Sequence, residues 1–426
     1  MSKDADPGDE RSLSRLPEIT FRDHQDRSFM LHSFSAFFKV PLAALLLMSI
    51  AVHAEESQSG ESLRVDNSVY QNQMVRGRVS DRFEIYNPHS EADLLDIRKM
   101  GFTQVILDWP NLHAAATGLG LDVVVANWWT IDTETAKVEE AIRIAQSIRR
   151  DKLRGISMMD EPERNSPQTP FEFYEALYKD LRTVLDKELT GVRLEMSHWG
   201  PLRGWDEQTY QQFVTLYRSA DVMRIMPYPD LREGPLSEVF YQMMRSRRIM
   251  ARAGRELPLV VILQTWVLPE DNKLPTIGEL RVMVWQAVLS GAETVSFFSY
   301  EPETWKKSPG FTEGFREMMA EFSAWMQLNR NAVFETSIDS QGILNSLITR
   351  TDGSRYRMRI NTHREPVNDL PGLAIQTWSV FPETFTENTK LHHPEPDGIR
   401  QNRCWQFRPH DCTNADCRNR KCRVAR

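Results

Sequence analysis

Between Phe83 and Ser299 the chain alternates between two hydrophobic periods. Short apolar or β-branched runs stand at Phe83–Tyr86, Gln104–Leu107, Asp122–Ala126, Gly155–Met159, Arg193–Met196, Val222–Met226, Leu259–Leu263 and Thr294–Ser299. Each is too brief for a helix and almost continuously apolar, as strands buried on both faces require. Stretches with helical spacing separate them. Glu91–Met100 sets Leu94, Leu95 and Ile97 on one side, with Ser90 as N-cap. Thr135–Arg149 places Val138, Ala141, Ile142, Ala145 and Ile148 on one stripe. Phe171–Leu185, Asp206–Ser219, Leu236–Ala253, Ile277–Ser290 and Thr312–Leu328 read the same way, and a shorter helix lies within Leu112–Leu119. Strand-helix alternation repeated eight times over residues 81–329 predicts an α/β protein, a (β/α)8 TIM barrel. The competing open sheet of the dinucleotide-binding kind would carry G-x-G-x-x-G after the first run, and none is there.

After Leu328 the pattern changes. Ile343–Thr349 and Tyr356–Asn361 flank Asp352-Gly353, a hairpin signal, and Leu373–Val380 supplies a third run. This predicts a small β-domain over 330–383. Three strands bury little apolar surface alone, so they pack on the barrel or are an incomplete set.

The chain ends read differently from its body. Val40–Val52 is an apolar run behind Lys39, and Val52 and Ala54 supply the small residues of a cleavage site. That describes a secretory signal within residues 1–54, removed near Ala54. The run is shorter than the roughly 20 apolar residues of a spanning helix. A signal is therefore the preferred reading over an anchor through residues 37–53, and no membrane span is expected after cleavage. The predicted localisation is secreted or periplasmic. The charges ahead of Met30 suit a signal poorly, which suggests translation starting at Met30. Residues 55–80 read as a linker. All four cysteines (Cys404, Cys412, Cys417, Cys422) fall in a tail, 384–426, that lacks apolar periodicity. Two disulfides fit an oxidising compartment, and no paired C-x2-C elements suggest zinc. The tail is expected to be disordered. Charge changes the picture in one respect: 52 Lys and Arg against 59 Asp and Glu give −7, which argues against a nucleic-acid partner.

Chemistry collects where the apolar runs end, the place where barrel enzymes carry their sites. The second run ends in Asp108-Trp109, the third in Asn127-Trp128-Trp129 and the fourth in Asp160-Glu161-Pro162. The fifth gives Ser197-His198-Trp199 and the sixth Pro227-Tyr228-Pro229-Asp230. The seventh gives Gln264-Thr265-Trp266 and the eighth Ser299-Tyr300-Glu301. Aromatic faces cover the C–H patches of sugars, while amides and carboxylates hydrogen-bond the hydroxyl rim. The predicted partner is therefore a carbohydrate, an oligo- or polysaccharide. Adjacent strand residues point to opposite sides, so only one of Asp160 and Glu161 faces a given pocket.

Leu153-Arg154-Gly155 through Asp160-Glu161-Pro162-Glu163 resembles the fourth-strand signature of β-galactosidase-like barrel glycoside hydrolases, and of bacterial relatives ending this strand in Asp-Glu-Pro. Ala220-Asp221 with Pro227-Tyr228-Pro229 resembles their sixth strand, Leu259–Gln264 their seventh, and Glu279–Tyr300 their last helix and strand. The resemblance spans Phe83 to Glu301. It implies that Glu161 is the general acid/base. It also implies a nucleophilic glutamate ending the seventh strand, where this chain has Gln264, and a carboxylate before Pro-Tyr-Pro, where it has Met226. The second carboxylate is then sought at Glu301 first, with Asp108 and Asp230 behind it, or in Asp160 as nucleophile with Asp230 as acid/base. Trp128, Trp129, Trp199, Tyr228, Trp266 and Tyr300 are the expected subsite walls, and Asn127, His198 and Gln264 the groups that orient hydroxyls. The rival function is a glycan-binding or scaffolding protein on a degenerate hydrolase barrel. No metal is expected, because Tyr86-Asn87-Pro88-His89 lacks the His-x-His of metal-dependent barrels and the other histidines are scattered. No motif calls for a cofactor, and no G-x-S-x-G elbow marks a serine hydrolase.

Overall fold

The eight apolar runs pair in chain order and in parallel, and the last closes on the first. The structure is a computed structural model describing residues 67–108, 110–126, 134–160, 171–198, 207–229, 234–267, 274–367 and 370–380. Of residues 134–137, 158–160, 207 and 377–380 it describes the backbone only. The expected signal segment and the cysteine tail lie outside these residues. No described helix is long and apolar enough to cross a membrane.

A short strand, β1 (Val75–Arg78), precedes the barrel. The barrel strands and their helices then follow: β2 (Arg82–Tyr86), α1 (Glu91–Lys99), β3 (Gln104–Leu107), α2 (His113–Gly118), β4 (Asp122–Ala126), α3 (Glu134–Ser147) and β5 (Leu153–Asp160). Next come α4 (Phe171–Glu188), β6 (Arg193–His198), α5 (Glu207–Leu216), β7 (Val222–Ile225), α6 (Glu238–Arg252), β8 (Leu259–Gln264) and α7 (Ile277–Leu289). Last are β9 (Thr294–Phe298), the short α8 (Pro302–Lys306) and α9 (Phe311–Leu328). Local signals set the helix starts. Ser90 accepts from the Asp93 amide at 3.2 Å ahead of α1, and Thr276 with Glu279 forms a capping box on α7. Gly291, at φ +83°, turns the chain from α7 into β9, a conformation that costs glycine nothing.

The strands bury two sets of residues. Outward-facing Ile85, Val105, Val123, Ile156, Leu194, Ile225 and Val261 join the helices in one continuous core. The inward set splits by height. Towards the strand starts the lumen is ionic: Arg224, fully buried, binds Glu195 at 2.5 Å and also Glu84. Arg193 meets Glu195 at 3.2 Å and Glu293 at 2.7 Å, and Arg82 completes the series on Glu293. Three arginines and three glutamates thus alternate from the barrel's base to its middle. Gln104 and Ser296 hydrogen-bond Glu84 as well. Gly155 is required here, since a Cβ would stand 2.5 Å from Glu195 Oε1 and 2.9 Å from the Arg193 carbonyl. Above the ions lies an apolar cluster that includes Tyr86, Ile106, Val124, Ala126, Met226, Tyr228, Ile262 and Phe298.

The remaining strands form an antiparallel sheet in the order β1, β10 (Val333–Ile338), β11 (Ile343–Thr349), β12 (Arg355–Asn361), β13 (Ile375–Val380). Two of its five strands escaped the sequence reading. The span expected to be linker, 55–80, contains β1, and β10 was passed over. Neither is long or uniformly apolar, and β1 is specified by pairing with β10 far along the chain. Phe334 locks the arrangement: it lies where a side chain on Gly77 would stand, and it packs 3.4 Å from the Cβ position of Gly291. Phe334, Ile338, Leu344, Ile348, Met358 and Ile360 share the barrel's core, so the sheet packs on the barrel.

Candidate active site

The strand ends of β8, β9, β2 and β3 are neighbours, in that order, around the barrel. Together they build one arc of its mouth. Phe298 and Tyr86 form the floor, ring centroids 5.2 Å apart, and Trp266 meets Phe298 edge-on at 5.9 Å. Tyr86 is held from beneath, because Arg224 Nη2 donates to its hydroxyl at 2.9 Å. Tyr228 and Met226 border the same cluster.

Polar atoms sit on this arc without partners among the described residues. Asp108 Oδ1, Gln264 Oε1, Trp266 Nε1 and Asn87 Oδ1 are buried with no hydrogen bond. Buried polar atoms are seldom left so in native proteins, and clusters of them ask for an explanation. Asp108 follows β3 in the inward phase of Gln104 and Ile106. Burial raises its carboxyl pKa, opposed by a backbone hydrogen bond and by His89. Gln264 shares register with inward-facing Phe298, and its Nε2 donates to the Trp266 carbonyl at 3.0 Å.

Other expected residues lie elsewhere. His198 is a correction. Ser197 takes the lumen side, 3.3 Å from Ser157 across the barrel wall, so His198 faces outward. Its ring packs on Phe213 and Tyr217 at 5.1 and 5.4 Å, on the helix side of the strand. Closeness to a strand end had suggested a role that the phase of the strand denies. Tyr300 is a second correction: its hydroxyl donates to Asp96 of α1 at 2.9 Å and its ring packs on Trp305. It joins helices and walls no subsite. Glu301, at the N-terminus of α8 and half-buried, accepts from Ser299 Oγ at 2.7 Å.

For the Asp160–Glu161 pair the structure describes the strand leading to them. β5 pairs Ser157 with Glu195 but Asp160 with Ser197, a register shift that breaks simple alternation between Ser157 and Asp160. Of Asp160 only the backbone is described. Asn127, Trp128, Trp129, Glu161, Trp199 and Asp230 lie outside the described residues. The sequence reading missed Asn87 and the floor residues Tyr86 and Phe298. Counting the inward phase to the last residue of the first and last barrel strands would have found the two rings.

Burial depresses the His198 pKa to about 3. The unfolded imidazole protonates near its ordinary 6.5 while the folded one stays neutral. Stability attached to this group is complete above about pH 6.5 and is lost as pH falls towards 3. His198→Phe, which keeps the ring packing, is expected to shift the acid-unfolding midpoint to lower pH. An unchanged midpoint would refute this assignment.

Among the described residues no group of three or more His, Cys, Asp or Glu side chains could hold a metal. No protein-family model matches the sequence, and no curated protein does. Solved structures with a similar fold include a glucosidase from Croceicoccus marinus (12% identity, 67% of this chain and 76% of that one, TM-score 0.47). An endo-β-1,4-mannanase from Thermotoga petrophila (11%, 71% and 91%, 0.44) is another. So is a β-galactosidase from Marinomonas ef1 (12%, 58% and 60%, 0.43). Likenesses this remote say nothing about the chemistry of the present chain. The class that the coordinates themselves define is a closed (β/α)8 barrel with an aromatic, polar-rimmed mouth.

Proposed function

We propose that the barrel mouth binds a glycan and hydrolyses a glycosidic bond. The observation that carries this reading is the arc of unpartnered buried polar atoms around an aromatic floor. A sugar ring would lay its C–H face on Phe298 and Trp266 and offer hydroxyls to Asp108, Gln264, Trp266 Nε1 and Asn87. Apolar clefts with a few placed polar groups are the general form of ligand sites.

Hydrolysis requires two carboxylates. Asp108 is a stronger partner for Glu161 than Glu301: both are half-buried, but Glu301 is engaged by Ser299 while Asp108 follows the inward phase of its strand with one carboxylate oxygen unpartnered among the described residues. A carboxyl kept protonated to higher pH suits proton donation. In this reading Asp108 protonates the leaving oxygen and Glu161 activates water, reversing the role that the sequence resemblance implies for Glu161. The ends of β3 and β5 are two strands apart, roughly 10 Å of sheet. A separation of about 6.5–9.5 Å between the two carboxyl groups would mark an inverting pair. Secretion, read from the N-terminal segment, would bring the enzyme to extracellular or periplasmic glycans.

Gln264 favours a second reading, a barrel that binds sugar without cleaving it, since an amide cannot act as the nucleophile. A panel of polysaccharides and aryl glycosides separates the two. Turnover by wild type that Glu161→Gln abolishes establishes hydrolysis. Quenching of tryptophan fluorescence by a sugar with no turnover anywhere in the panel would establish binding alone.

A further inference from the structure

The face of the five-stranded sheet turned away from the barrel is strongly basic. Along β12 the sequence Arg-Tyr-Arg-Met-Arg alternates, so Met358 is buried while Arg355 and Arg357 are exposed and Arg359 is half-buried on the same side. On β1, Val75 is buried and Arg76 and Arg78 are exposed. Register places Arg76, Glu335, Leu347 and Arg357 in one row across the sheet, and Arg78, Val333, Thr349 and Arg355 in the next. Five arginines thus share this face with Glu335, which pairs with Arg76 at 3.0 Å, and with Asp339, which accepts from Asn345 beside Arg359 at 3.3 Å. This stands out on a chain whose net charge is −7.

The arginines form two columns three strand spacings apart, roughly 14 Å. Between them runs a strip of mostly uncharged side chains, Val333, Leu347 and Thr349. Successive arginines on β12 repeat at about 7 Å, the two-residue rise of a strand. The result is a trough in charge, in which two positive columns flank a strip of Val333, Leu347, Thr349 and the carboxylate of Glu335.

We infer that this trough docks a linear anionic polysaccharide whose charges are carboxylates. The inference rests on the glycan reading of the barrel and adds the chemical class of the polymer. Each guanidinium offers a planar pair of donors that matches a carboxylate. Leu347 and Val333 give sugar C–H faces an apolar seat. Nucleic acid fits less well. Its phosphates are more densely spaced than the carboxylates of an acidic polysaccharide and meet more repulsion from a protein of overall negative sign.

Native-gel affinity electrophoresis of the full-length protein in polygalacturonate tests this, with neutral dextran as control. Wild type is expected to be retarded by polygalacturonate and not by dextran, and added salt should weaken the effect steeply. The triple variant Arg355→Gln/Arg357→Gln/Arg359→Gln should bind about tenfold or more weakly. An independent pair on the other column, Arg76→Gln/Arg78→Gln, should weaken binding too, with thermal melts confirming that both variants fold. Absence of wild-type retardation, or full retention by the folded triple variant, overturns the inference. So does displacement of polygalacturonate by duplex DNA or anionic vesicles at equal charge concentration, which would assign the face to phosphate. Turnover of aryl glycosides is scored separately. Retention without turnover leaves the docking face standing while hydrolysis fails, and turnover without retention does the reverse.

Discussion

Arg224→Ala is expected to destabilise the protein by about 3–5 kcal/mol, the usual cost of removing one member of a buried ion pair. Burial by itself would lower the pKa of this guanidinium. Glu84, Tyr86 and Glu195 more than offset that, and it stays firmly charged. Its removal leaves Glu84, without solvent exposure, with no cationic partner, and Glu195 with Arg193 alone. The companion variant Arg224→Met/Glu84→Gln/Glu195→Gln removes every charge at the node and should recover most of the loss, because well-packed neutral groups often replace a buried network at little cost. Urea denaturation of both variants measures the difference. A loss below about 1 kcal/mol for Arg224→Ala would show that the ladder contributes little. The consequence reaches the mouth, since Arg224 also fixes the hydroxyl of Tyr86 and hence the ring that floors the site.

Asp108→Asn is expected to cut turnover of glycosides with poor leaving groups by about 10²–10⁴-fold, the range for loss of a positioned proton donor. Substrates with an activated aryl leaving group need no protonation and should lose far less. Glu161→Gln should impair both classes alike. If the pattern is exchanged between the two variants, Glu161 is the donor and the assignment made here falls. Stability provides an independent check of sign. A carboxyl whose folded pKa is raised binds its proton more tightly in the native state. Stability therefore declines as pH climbs from the ordinary carboxylate value of 3.8 to the raised one. Asparagine removes that decline, so at neutral pH Asp108→Asn should be at least as stable as wild type. A less stable but inactive variant would point to a structural role for Asp108 instead. Functional groups held against stability are a recognised feature of active sites.

Much of the barrel was legible because its signals are local. Near-continuous apolarity marks β3, β4 and β8 as strands covered on both faces, and Ser90 announces the start of α1. The strand-end inventory led to Asp108, Gln264, Tyr228 and Trp266, all now on or beside one arc. It erred at His198 and Tyr300, where the sequence shows nearness to a strand end but not which face a side chain takes. The rings of Tyr86 and Phe298 were overlooked for the same reason in reverse.

Hydrophobic period and turn chemistry, read along the chain, determined the alternation of strands and helices, and with it the barrel. Those are properties of neighbouring residues, and distance along the backbone does not blur them. Tertiary structure alone decided that β1 joins a sheet begun after Leu328, and that Glu84, Glu195 and Arg224 neutralise one another in the lumen. It alone brought together the strand ends that carry Asn87, Asp108, Gln264 and Trp266. The sheet pairing joins residues more than 250 positions apart and the ion pairs join residues 29 and 140 apart, and only tertiary folding brings such groups together.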